Sequence, residues 1–136
     1  MIVREALVAD PRVLQPEAPA QAAAALLAKP QVESVLVADG DRLHGCVTKE
    51  AIVAAVAQGR DLRALAVRDL ADPDVATVSP DTPLDEALLL MADRGLERLP
   101  VVEDGRLLGV LPREPVLRRL AEDEPPPEPD EDQQQV

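Results

Sequence analysis

The sequence predicts an α/β (α+β) fold: two β-α-β-β-α units packed against each other with pseudo-twofold symmetry. Three observations carry that expectation. The first is an ungapped internal repeat at an offset of 64, which sets DRLHGCVTKEAIV over GRLLGVLPREPVL. The same offset pairs Val3 with Val67, Arg4 with Arg68, Pro16 with Pro80, Pro19 with Pro83, Leu26 with Leu90, Glu33 with Glu97 and Gly45 with Gly109. A repeat this long means one structural unit used twice, and two copies are too few for a solenoid. The second is a pair of short apolar runs in each copy, flanking a turn that contains Asp-Gly: SVLVADGDRLHGCV and RLPVVEDGRLLGVL. That pattern is a hairpin signal. The third is helical stretches with proline in front and a stop signal behind.

Taken in order, a short helical lead-in opens each unit, EALVADP and then ALAVRDLADP. PRVLQP and VATVSP follow as short extended strands, each ended by a proline. In the second copy Thr82 is the N-cap of the next helix, Pro83 its first position and Asp85 its capping-box acid. ALLLMADRG closes that helix, with Gly95 as the stop. Its counterpart begins at Ala18-Pro19 and ends before Pro30. The hairpin comes next, then a second helix, KEAIVAAVAQG or REPVLRRLAE. The resulting boundaries are 2–60 for the first repeat, 61–66 for a linker, 67–121 for the second repeat and 122–136 for a tail. That tail, EDEPPPEPDEDQQQV, has seven acidic residues, no basic ones and almost nothing apolar to bury, which predicts disorder.

Composition narrows the function. The core must be built from Ala, Leu, Val and Ile, because the chain has no aromatic residue, while 46% of it is hydrophobic. No base can stack on an aromatic ring, and the net charge is −12, so neither nucleic acid nor an anionic membrane is a fitting partner. No run approaches the roughly 18 consecutive apolar residues of a membrane span. MIVREALVADPRV has neither the basic start nor the apolar run of a signal peptide. A single Cys46 excludes an internal disulfide and suits a reducing compartment. These features predict a soluble, cytoplasmic protein.

With its repeat, element order and the phrases RLPVV and GCVT, the chain resembles a tandem pair of CBS domains, a Bateman module. The match is fullest in VRDLADPDVATVSPDTPLDEALLLMADRGLERLPVVEDGRLLGVL and weaker in VREALVADP and VLVADGDRLHGCVTKEAIV. It covers roughly residues 2–120. The resemblance implies a non-catalytic regulatory module, commonly a homodimer, that binds AMP, ADP, ATP or S-adenosylmethionine in clefts between the repeats. It also implies that a Thr or Ser after the glycine strand contacts the ligand, and that an acid three positions on holds the ribose hydroxyls.

On this chain those positions are unevenly filled. In the first copy Thr48 follows the strand of Gly45, and Lys49 adds a cation beside a helix N-terminus, where an anion is favoured. Thr48 is equally an N-cap, which accounts for it without a ligand. The ribose acid is replaced by Ala51. In the second copy, after Gly109, the two positions are Pro112 and Pro115, which remove a hydroxyl and two N–H donors while keeping a helix start. Arg98 and Arg113 offer positive charge to a phosphate, and Val13, Val37 and Val101 an apolar slot for adenine; solvated arginines and core valines are the plain alternatives. The candidate ligand-binding set is therefore Gly45, Thr48, Lys49, Val13, Val37, Arg98, Val101, Gly109 and Arg113. No catalytic or metal-binding set is expected, since His44 and Cys46 lack a third orienting partner. A ligand-free scaffold for homodimerisation or for docking an unidentified protein is the competing expectation.

Overall fold

The computed structural model describes residues 1–10 and 12–123. Its elements are α1 (Ala20–Leu27), β1 (Ser34–Asp39), β2 (Arg42–Thr48), α2 (Lys49–Ala57), α3 (Leu84–Arg94), β3 (Arg98–Glu103), β4 (Arg106–Pro112) and α4 (Arg113–Asp123). Each lead-in is a single 3₁₀ turn, Val3–Glu5 and Val67–Asp69. The α/β class and the repeated order stand. Helix α4 runs on to Asp123, and the rest of the acidic tail lies outside the described residues.

The two hairpins close through two-residue loops of different geometry. In the first, Asp39 pairs with Arg42, and only Gly40 of the loop takes a positive φ, 60°. In the second, Glu103 pairs with Arg106, and both Asp104 (φ 53°) and Gly105 (φ 78°) are left-handed. Glycine falls one place later in the second copy, so the turn type shifts with it. Both hairpins carry an irregularity at the same repeat position, between Val37 and Ala38 and between Val101 and Val102. There the opening strands touch the sheet. Each is reduced to one parallel bridge, Leu14 to Val37 and Val78 to Val101, because the prolines around it leave little chain to pair.

The strand order is β1-β2-β4-β3, and the hairpins meet at a single pair, Arg42 with Arg106. Beyond it each inner strand takes the other repeat's lead-in. Cys46 and Asp72 exchange two backbone hydrogen bonds (3.0 and 2.8 Å), as do Val8 and Val110 (2.9 and 2.8 Å). The lead-ins are thus exchanged. Val3 and Ala6 are buried with Leu84, Ala87, Met91, Leu99 and Val101 in the core of the second repeat, whereas Val67 is buried with Ala23, Val35 and Val37 in the first.

The same exchange corrects the expected cap. Helix α3 has Pro83, not Thr82, at its N-cap, and Thr82 Oγ1 instead accepts from Ser79 N at 3.2 Å. The lead-in does the capping: Leu84 N donates to Met1 O (3.0 Å), and in the first repeat Ala20 N donates to Leu65 O (2.7 Å). A carbonyl from the partner segment satisfies the first free N–H, so no polar side chain is needed there. Gly95 does end α3, in the left-handed conformation at φ 64°.

Candidate functional site

The nine residues singled out from sequence are dispersed. Gly45 and Gly109 are packing positions: a Cβ on Gly45 would collide with the Asp72 carbonyl, and one on Gly109 with that of Val8. These glycines let the exchanged lead-ins reach backbone distance. Val37 and Val101 sit opposite them, fully buried in the two core clusters, and have no surface to offer an adenine. Val13 lines a shallow hollow of about 280 Å³ together with Gln15, Gly40, Leu108 and Gly109.

Thr48 is the N-cap of α2, its Oγ1 accepting from Ala51 N at 3.2 Å. Lys49 Nζ lies 3.7 Å from Glu33, while Arg113 Nη2 lies 2.8 Å from Glu97. Lys49 and Arg113 are repeat counterparts, and so are Glu33 and Glu97. Each ion pair fastens the start of a helix to the residue near the start of its hairpin. Both pairs are partly exposed, so each contributes at most about 1 kcal/mol. Their charge is already engaged.

Arg98 lines a smaller but more enclosed cavity, about 160 Å³, and the arrangement around it is symmetric. Asp10, Ser34, Leu36 and Cys46 from the first repeat face Asp74, Arg98, Pro100 and Val110 from the second. The offset of 64 converts each member of one group into its counterpart in the other, so the cavity straddles the pseudo-twofold axis. Val75, Ala76, Arg94 and Leu96 complete the wall from the second repeat. Arg98 Nη1 is 2.8 Å from Asp10 Oδ1, and the Asp10 side chain is only 4% exposed. Ser34, the counterpart of Arg98, pairs across the sheet with Thr48. A smaller hollow of about 60 Å³ continues from the same place past Arg12, Glu33, Glu97 and Arg98.

Cys46 is half-buried in this wall. Burial, and then the Asp72 carboxylate, raise its thiol pKa, so the thiol remains protonated near neutral pH. His44 falls on the irregularity of β2 and is exposed. Among the described residues, no group of three or more His, Cys, Asp or Glu side chains is arranged to hold a metal ion, and no helix is long and apolar enough to cross a membrane.

The sequence reading missed Asp10, Asp74 and Arg94. One signal for the first two was available: Asp10 and Asp74 are identical residues at the repeat offset, each just ahead of an opening strand. The arrangement pairs an apolar slot (Leu36, Leu96, Pro100, Val110) with two carboxylates and two guanidiniums. Chemically that suits a small amphipathic ligand with a flat apolar part and a polar end.

The family model for the CBS domain matches residues 3–58 and again 67–122. The chain belongs to the CBS domain family. Among curated relatives of this CBS pair, an uncharacterised protein of Methanopyrus kandleri is 34% identical over 62% of the chain and 44% of its own length. Hypoxic response protein 1 of Mycobacterium tuberculosis is 29% identical over 62% of the chain and 59% of its own length. The chain thus spans about half the length of these curated relatives. Three solved structures superpose over most of both chains. A putative acetoin utilization protein, AcuB, from Vibrio cholerae has a TM-score of 0.77 at 22% identity, covering 93% of this chain and 98% of its own. CBSX2 in complex with AMP has a TM-score of 0.71 at 28% identity, covering 90% and 97%. The CBS domain pair of protein MJ0100, in complex with 5′-methylthioadenosine and S-adenosyl-L-methionine, has a TM-score of 0.67 at 23% identity, covering 91% and 98%.

Proposed function

We propose that this CBS pair is a non-catalytic regulatory module that binds an adenosine-containing ligand, of the class AMP, ADP, ATP or S-adenosylmethionine, in the cavity on its pseudo-twofold axis. The observation that carries the reading is the cavity wall: both repeats contribute to it, with four residues of the first facing their counterparts in the second, so occupancy bears on how the repeats sit together. The ligands carried by CBSX2 and by the MJ0100 domain pair support the ligand class. At about 160 Å³ the cavity is smaller than the roughly 300 Å³ typical of a site enclosing a whole ligand. The purine base fits that volume, with the ribose and any 5′ substituent extending to the rim beside Arg94 and Arg98. Thr48 contributes indirectly, by holding the β2–α2 junction next to Ser34. Lys49 and Arg113 tie helices to hairpins.

Calorimetry with and without each of the four compounds tests the proposal, since the chain lacks aromatic fluorescence. A ligand at a hundred times its Kd adds about 2.7 kcal/mol, a rise of roughly 5–20 °C in Tm at this size. Protection of Cys46 from alkylation places the bound compound in the cavity. Four flat traces sink the reading.

A second reading has its own observation. Val53 on α2 and Leu117 on α4 are repeat counterparts, and both are exposed, at 66% and 50%. With Pro112 and Pro115 at the second repeat's junction, they favour a scaffold that self-associates through α2 and α4 without a ligand. Flat calorimetric traces, together with a homodimer dissociated by Leu117→Asp, support it over ligand sensing.

A further inference from the structure

We propose that Asp10 selects what the axial cavity accepts: an adenosine compound whose 5′ end carries no net negative charge, ahead of nucleoside phosphates. The inference rests on the adenosine reading of the cavity given above.

The Asp10 carboxylate is a built-in anion. Its side chain is 4% exposed, its Oδ1 is 2.8 Å from Arg98 Nη1, and the same oxygen accepts from Arg12 N at 2.9 Å. The backbone bond holds the carboxylate in place, so it does not swing aside without losing both partners. Arg98, 29% exposed, is the guanidinium that a 5′ phosphoryl group at the rim would seek, and Asp10 already engages its Nη1. A phosphate must therefore either displace that charge-assisted hydrogen bond or share the guanidinium with a buried carboxylate whose negative charge opposes it.

The remaining charges do not offset this. Asp74 faces the cavity from the second repeat, and the first repeat's counterpart of Arg98 is Ser34, too short and uncharged to neutralise it. Arg94 makes no ion pair among the described residues; it and Asp74 are both exposed, so the attraction of one and the repulsion of the other are alike screened by water. Two carboxylates and two guanidiniums give the wall no net charge. A terminal phosphate brings about −1.5 to −2 charge into that wall. A 5′ end without negative charge meets no such opposition.

Titration calorimetry of the full chain with 5′-methylthioadenosine, AMP and ATP tests this, with Cys46 alkylation reporting cavity occupancy. The wild type binds methylthioadenosine about tenfold or more tighter than AMP or ATP. Asp10→Asn, which keeps the shape and removes the charge, tightens AMP relative to methylthioadenosine by about tenfold or more. Wild-type protein that prefers AMP or ATP overturns the proposal without any variant, so a misfolded Asp10→Asn does not rescue it. An Asp10→Asn protein in which all three affinities move together overturns it as well, while leaving the adenosine site standing. If none of the three binds the wild type or protects Cys46, the adenosine reading falls and this inference falls with it.

Discussion

Replacing Gly45 by alanine tests the exchange of lead-ins with the smallest possible change. Gly45 does not need glycine's left-handed freedom, because its φ lies outside the positive region. What it needs is the absence of a Cβ: the built methyl collides with the Asp72 carbonyl oxygen and carbon, and lies 3.2 Å from Pro73 Cα. All three are backbone atoms, so no side chain can rotate away. The strand must retreat, and the two Cys46–Asp72 hydrogen bonds go with it. Each contributes about 0.5–1.5 kcal/mol net, and an unsatisfied buried group costs about 1–3 kcal/mol. Gly45→Ala therefore destabilises by roughly 2–4 kcal/mol, which lowers Tm by roughly 8–16 °C for a domain of this size. Calorimetry, with urea unfolding followed by circular dichroism, measures it. Gly40→Ala is the control: nothing lies within 4 Å of its added Cβ, and only its φ of 60° is unfavourable, a cost of about 1 kcal/mol. If Gly45→Ala proves no more costly than Gly40→Ala, the backbone contact between β2 and the second lead-in is not what fixes glycine at this position.

The capping assignments make a matched pair. Thr48→Ala removes the Oγ1 that accepts from Ala51 N and costs about 1 kcal/mol in thermal unfolding, whereas Thr82→Ala costs clearly less, because α3 draws its first bond from Met1 O. Cys46 provides a pH test. Because its pKa is raised in the folded protein, the folded state keeps the proton to higher pH than the unfolded state does. Its contribution is fully present below the unfolded thiol's pKa and is lost as pH rises through the folded one. Alkylation of the native protein is accordingly slow at neutral pH and accelerates at a higher pH than for the urea-unfolded chain. A coincident profile refutes the burial assigned to this thiol.

The fold was readable because the repeat is faithful in its hydrogen bonds as well as its letters. Val3 N donates to Thr82 O, and, 64 residues on, Val67 N donates to Ala18 O. Hairpin loops and the Gly95 stop are local decisions between neighbours, so Asp-Gly and a lone glycine announce them. The exchange of lead-ins is not local. A repeat states that two segments are alike, but Val3 packs as well on the core of either copy as far as its own sequence shows. Gly45 and Gly109 make room for a lead-in at equivalent places in both repeats, so they permit the exchange without announcing which lead-in arrives. For the same reason Thr82 looked like a cap: its chemistry is right, and the carbonyl that displaces it comes from residue 1.

The candidate site was harder to read because sequence resemblance draws the eye to positions where the copies agree with a family pattern, and here the cavity's character lies where the copies differ from each other. On a pseudo-twofold axis, identical residues face identical residues. Asp10 opposite Asp74 therefore sets a symmetric acidic background. The asymmetry enters through Ser34 against Arg98, Cys46 against Val110, and Pro30 against Arg94. Both cationic groups of the wall come from the second repeat, the one whose prolines at 112 and 115 remove the family's polar grip at the β4–α4 junction. The first repeat keeps Thr48 but has a short serine where the second has Arg98. A ligand spanning the axis would thus meet one carboxylate from each copy, but both guanidiniums and most of the apolar wall from the second. That asymmetry would favour one orientation of the proposed ligand where a perfect repeat would offer two equivalent ones.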